Sequence, residues 1–164
     1  AVVASLVKRA LLNAHDADGR CVLHLAAHSA RSDAVALLLD HGACTETRDA
    51  KGRTPLHIAA AAGAAGLASA RLLLQAGAAV APRTRAHATP LLLACWSKAT
   101  AIVTALLAAG ADAHECDDVG EGALHYALRS ADLLYASHDG AHNGGVAYEA
   151  LRRDATCTKA RAQE

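Results

Sequence analysis

Apolar and polar positions alternate along this chain in a repeating order. A polar turn ending in Gly is followed by a short apolar run, a break, a second Leu-rich run and another Gly. The runs have the periodicity of short helices with one buried face. Leu23, Leu25 and Ala26 are expected to face a core, as are Leu56, Ile58 and Ala59. Second helices are predicted over Ala34 to Leu39, Ala68 to Leu74 and Ile102 to Leu107, each stopped by Gly42, Gly77 or Gly110. Gly just past a Leu run is a helix C-terminal stop. Thr54-Pro55 and Thr89-Pro90 read as helix starts, because Thr caps free amides and Pro fits the first helical position.

The order is a true repeat. Asp16-Ala-Asp-Gly-Arg-Cys-Val-Leu-His-Leu-Ala-Ala27 returns as Asp49-Ala-Lys-Gly-Arg-Thr-Pro-Leu-His-Ile-Ala-Ala60 after 33 residues. Thr84-Arg-Ala-His-Ala-Thr-Pro-Leu-Leu-Leu-Ala-Cys95 follows after 35, and Asp117-Asp-Val-Gly-Glu-Gly-Ala-Leu-His-Tyr-Ala-Leu128 after another 33. The two added residues of the second unit fall between its helices, around Gly63 to Gly66. The units run 16–48, 49–83, 84–116 and 117–155. Residues 1–15 read as half a unit, with Val2 to Val7 as its second helix, although Arg9 stands where the stop Gly belongs. In the fourth unit a Gly-rich polar insertion, 137–145, precedes a delayed second helix over Val146 to Arg153, and 156–164 is a polar tail.

Thr54-Pro-Leu-His-Ile-Ala-Ala60, copied at a period near 33, resembles the ankyrin repeat family. The resemblance covers nearly the whole chain. It implies an all-α solenoid of stacked helix–turn–helix units with projecting turns. The third unit departs from the pattern: Thr84 replaces Asp, His87 replaces Gly and Leu92 replaces His, which leaves the regularity of its turn open. The resemblance also implies that His24, His57 and His125 are structural, tying neighbouring turns together. Family members of this kind mostly act as adaptors, inhibitors or scaffolds. They bind other proteins through the turn tips and the exposed side of the first helix.

Composition narrows the function further. Sixteen basic and sixteen acidic side chains cancel, which argues against generic nucleic-acid binding. Ala fills roughly a quarter of the chain, with no Phe and no Met. That mixture fills a single globular core poorly but suits short helices in close contact. The longest apolar stretch, Ile58 to Val80, is interrupted by Arg71 and Gln75, so no membrane span is expected. Five scattered Cys fit reduced thiols and an intracellular, cytoplasmic setting, with an organelle left open. No leader is visible, but the chain opens on Ala1, so a removed leader and a longer parent protein are both open. No nucleophile elbow, phosphate loop or dinucleotide fingerprint is present, and neither catalysis nor a cofactor is expected. His138 and His142, or His114, Cys116 and His125, lack the tight pairing of a zinc site, so no metal is expected.

Charge is sorted along the expected turn ridge. Thr47 to Ala109 holds seven bases and one acid, whereas Asp112 to Glu121 holds five acids and no base. The candidate partner-binding residues are therefore Arg20, Arg48, Lys51, Arg53, Arg83 and Arg85, facing an acidic segment. Asp118 and Glu121 are expected to meet a basic group at the far edge, with Arg129 at the exposed end of a first helix. Trp96, the only Trp, falls on the binding side and is either a partner anchor or a cation–π contact under the Arg85 turn. The reading is a non-catalytic protein-interaction module. Two alternatives stay open: a permanent structural subunit of a large multi-subunit complex, and the regulatory segment of a longer enzyme.

Overall fold

The computed structural model describes residue 12 and residues 14–135. Three helix pairs and a seventh helix follow in order. They are α1 (Val22–His28) with α2 (Ser32–Asp40), α3 (Pro55–Ala61) with α4 (Leu67–Gln75), α5 (Pro90–Trp96) with α6 (Thr100–Ala108), and α7 (Ala123–Tyr135). First helices stack in one layer, α1 on α3, α3 on α5 and α5 on α7. Second helices form the other layer, α2 on α4 and α4 on α6. The expected half unit, apart from residues 12, 14 and 15, lies outside the described residues. So do the 137–145 insertion, the helix over Val146 to Arg153, the 156–164 tail, His138 and His142.

Each first helix starts where its sequence says it should. Thr54 caps α3 and Thr89 caps α5, each followed by Pro at the first helical position. The layers meet through small residues. Ala27, Ala59, Ala60, Ala70 and Ala94 are fully buried between Leu23, Leu56, Leu73, Ile102 and Leu106. Alanine at these positions allows the helices to lie close, which is why an Ala-rich chain fills this core. Leu25 departs from expectation, being 43% exposed where the equivalent Ile58 is 5% exposed.

The two added residues of the second unit form a 3-10 turn, Gly63–Gly66, between α3 and α4. α7 runs for 13 residues rather than the seven of α1, α3 and α5. Its sequence is mostly Ala, Leu and other helix formers, with no Gly or Pro to stop it.

One buried group in α4 is unsatisfied. The Ser69 hydroxyl is fully buried and has no hydrogen-bond partner. The matching positions in the neighbouring units are Ala34 and Ile102. Ser69→Ala should therefore raise stability by about 1 kcal/mol, since it removes a desolvated hydroxyl and breaks no bond. A higher urea midpoint is the expected result; an unchanged or lower one would contradict it.

Candidate interaction surface

The projecting turns are built from one repeated set of bonds. In the second unit Asp49 Oδ1 accepts the amides of Lys51 and Arg53 at 2.9 and 2.8 Å. Asp49 Oδ2 takes Nε of Arg53 at 2.8 Å and its Nη2 at 2.7 Å. Burial opposes the charge on Asp49, but the bonds from Arg53 hold its carboxyl below the ordinary carboxylate range. Asp16 does the same with Arg20, bonding its amide at 2.8 Å and its Nε at 2.9 Å. In the fourth unit Asp117 Oδ1 accepts the amides of Val119 and Glu121, and the Tyr126 hydroxyl takes the Arg role at 2.9 Å from Oδ2. The third turn closes without Asp or Gly. Thr84 Oγ1 accepts the Ala88 amide at 3.1 Å, and His87 adopts the left-handed φ of 56°.

Neighbouring tips are joined by backbone. The amides of Ala50, Arg85 and Asp118 donate to the carbonyls of Asp18, Lys51 and Ala86 at 2.9, 3.1 and 3.3 Å. Gly52 makes the middle junction possible. Its φ is +76°, and a Cβ there would meet the Arg85 amide nitrogen at 3.0 Å. Below the tips, buried His24 and His57 tie units together. Nδ1 of His57 accepts the Thr54 amide at 3.0 Å, so Nε2 carries the proton and donates to the Ala88 carbonyl at 3.2 Å. His24 likewise accepts from the Cys21 amide and donates to the Arg53 carbonyl at 2.9 Å. His125 accepts the Gly122 amide at 3.2 Å.

The ten candidate residues divide by what already holds them. Arg20 pairs with Asp16 and Asp18, and Arg53 with Asp49. Arg83 reaches Glu115 in the next unit at 3.0 Å. Arg48 is exposed and donates once, to the Arg83 carbonyl at 2.6 Å. Lys51 and Arg85 are exposed, and their side chains make no ion pair among the described residues. Asp118 is exposed at the far edge. Glu121, expected at an exposed tip, is only 6% exposed and holds Nη1 of Arg129 at 3.0 Å. Its position follows the turn glycine, where the chain bends inward to start α7.

Trp96 is 39% exposed and part of a side-chain chain. Tyr126 meets its ring edge-on, with centroids 6.3 Å apart and planes at 76°. The Arg129 guanidinium lies 5.6 Å from the Trp96 ring centroid. The cation over the indole is therefore Arg129 and not Arg85. Tyr126 was not singled out from sequence. Its signal is a polar tip on an aromatic ring at the position that is Leu25, Ile58 and Leu93 in the other units. Cys21, Cys44 and Cys95 are free thiols. No helix among the described residues is long and apolar enough to cross a membrane.

This geometry defines a class: a stacked helical repeat array that presents bonded turn tips beside a first-helix face. The model of ankyrin repeats in three copies matches residues 1–84, and that of the single ankyrin repeat matches residues 87–118. The chain belongs to the ankyrin repeat family. Neurogenic locus notch homolog protein 1 of Xenopus laevis is 39% identical over 117 residues, which is 71% of this chain and 5% of that protein. The Danio rerio protein of the same name is 40% identical over the same length and shares. Neurogenic locus notch homolog protein 2 of Homo sapiens is 39% identical over 112 residues, 68% of this chain and 4% of that protein. The chain thus spans about a twentieth of the length of these relatives. Ankyrin repeats are generally protein–protein interaction modules and generally non-catalytic.

Proposed function

We propose that this chain is an adaptor or scaffold module that docks an acidic segment of another protein along its turn tips and first-helix face. The observation that carries the reading is the Lys51–Arg85 junction. Two exposed cations sit on tips whose backbones touch at 3.1 Å, with no carboxylate paired to either among the described residues. Like charges this close favour a bound anion. Arg48 adds a third exposed cation, held to the Arg83 carbonyl. Arg20, Arg53 and Arg83 contribute differently, since the first two share their charge with the turn acids Asp16 and Asp49 and the third with Glu115 of the next unit. Asp118 supplies the opposite sign at the far edge, and Trp96, with Arg129 over its ring, adds a partly exposed aromatic at the end of a first helix. A partner carrying acids first and a base beyond would be held in one register.

Reversing the three exposed cations that make no ion pair among the described residues (Arg48→Glu, Lys51→Glu and Arg85→Glu) tests this. Affinity capture from the native source at about 50 mM and about 300 mM salt is the assay, because exposed charge contacts screen over that range. The expected result is a partner set that falls away with salt and with the reversal, while the thermal midpoint holds. A stoichiometric complex retained by the reversed protein at the higher salt would mean a permanent subunit docked by another face.

A further inference from the structure

We infer that the recess beside the Lys51–Arg85 junction takes one acidic and one apolar side chain from a single extended stretch of the partner. The inference rests on the acidic-segment reading above and names what the segment must carry. The recess is about 510 Å³, ample for an aliphatic side chain. Its rim holds Lys51 and Arg85, and its lining includes Ala88, Leu93 and the Tyr126 ring.

Charge in the recess is one-sided. Arg53 also lines it, but that charge is balanced by buried Asp49, whose oxygens already accept the Lys51 and Arg53 amides and the guanidinium. The Tyr126 hydroxyl is committed to Asp117 at 2.9 Å, which leaves its ring as the surface offered. Two positive charges therefore stand over an apolar floor. The other two tip junctions differ: Asp18 meets Ala50, and Ala86 meets Asp118. Among the described tips only the middle junction brings two cations together. An acid thus has one preferred place on the ridge, and the next junction, with Asp118, repels a second acid.

The floor gives the acid a companion. In an extended chain, side chains two positions apart share a face and lie about 7 Å from each other. An acid at the rim therefore places a residue two positions away against Leu93 and Tyr126. Burying a Leu-sized group there adds at least about tenfold in affinity, from the ordinary burial range of about 1.5–3 kcal/mol. A polynucleotide fits less well, because the array as a whole is neutral and its next tip is acidic.

End-blocked Gly/Ala peptides test the pattern by amide chemical-shift titration at millimolar concentration. One carries Glu and Leu two positions apart, one carries them adjacent, one has Glu alone and one has Leu alone. An oligouridylate of matching length is the fifth probe. The spaced pair should bind about tenfold tighter than any other peptide and shift the amides of Lys51, Arg85, Ala88 and Leu93. It should lose that advantage in the Lys51→Ala, Arg85→Ala double variant. Glu alone binding as well as the spaced pair would overturn the apolar requirement while sparing the charged ridge. Leu alone binding equally, with no response to the double variant, would overturn both. Tighter binding by the oligouridylate, or no shift with any peptide, would overturn the assignment of the recess to a peptide.

Discussion

Gly66→Ala should cost at least about 3 kcal/mol, the upper part of the range for forcing atoms into a packed site. The backbone of Gly66 is ordinary, with φ near −78°, so conformation does not demand glycine there. Space does. An added Cβ would fall 2.0 Å from the Ala59 carbonyl oxygen, 2.9 Å from its carbon and 3.2 Å from the Ala62 Cβ. Ala59 is fully buried in α3, in the layer of stacked first helices, so it cannot retreat without moving the stack. Gly63, three residues earlier, makes the control. Its φ is +70°, but the matching residues Ala30 and Lys98 hold φ of 53° and 56° with side chains. Its nearest Cβ contact is 3.6 Å. Gly63→Ala should cost only about 1 kcal/mol. Urea unfolding of the two variants decides the matter, and equal losses would refute the steric account of the 3-10 turn.

His57→Ala should cost about 3 kcal/mol and alter the acid sensitivity of the fold. The change strands the buried Thr54 amide and removes the bond to the Ala88 carbonyl, each within the ordinary range of about 1–3 kcal/mol for such losses. The Ala88 carbonyl keeps the Thr84 amide at 3.0 Å, which limits the damage on that side. Burial, opposed by the bond to Ala88, lowers the His57 pKa from 6.5 to about 4. The imidazole is therefore neutral in the folded protein at pH 7. Between pH 6.5 and about 4 the unfolded chain takes a proton that the folded chain refuses. Its contribution to stability is complete above that window and shrinks as pH falls through it. The alanine variant lacks this term, so the gap between native and variant should narrow from pH 7 to pH 4.5. A constant gap would mean that His57 is not a buried neutral group.

The ridge shows where pairing could and could not be foreseen. Asp16 with Arg20 and Asp49 with Arg53 stand four apart around a turn glycine, so their mutual neutralisation was present in the spacing. Arg83 with Glu115, Arg48 with the Arg83 carbonyl, and Trp96 with Arg129 join residues of neighbouring units. Nothing local in the chain specifies those choices, because each needs the offset at which one tip lies on the next.

What the sequence alone determined was therefore the local grammar. The period, the Thr-Pro helix starts and the Gly stops are local signals plus one repeated face, whereas the ties of His24 and His57 were implied by the family resemblance and close over 29 and 31 residues. The added residues at Gly63–Gly66 could be located but not explained. Only the packed stack revealed that Gly66 is held by contact with Ala59 and that Glu121 turns inward. It also showed which cations remain open at the Lys51–Arg85 junction. The physical reason is distance along the chain. Caps and turns satisfy their own polar groups locally, whereas exposure and charge pairing are settled by neighbours about one full repeat away.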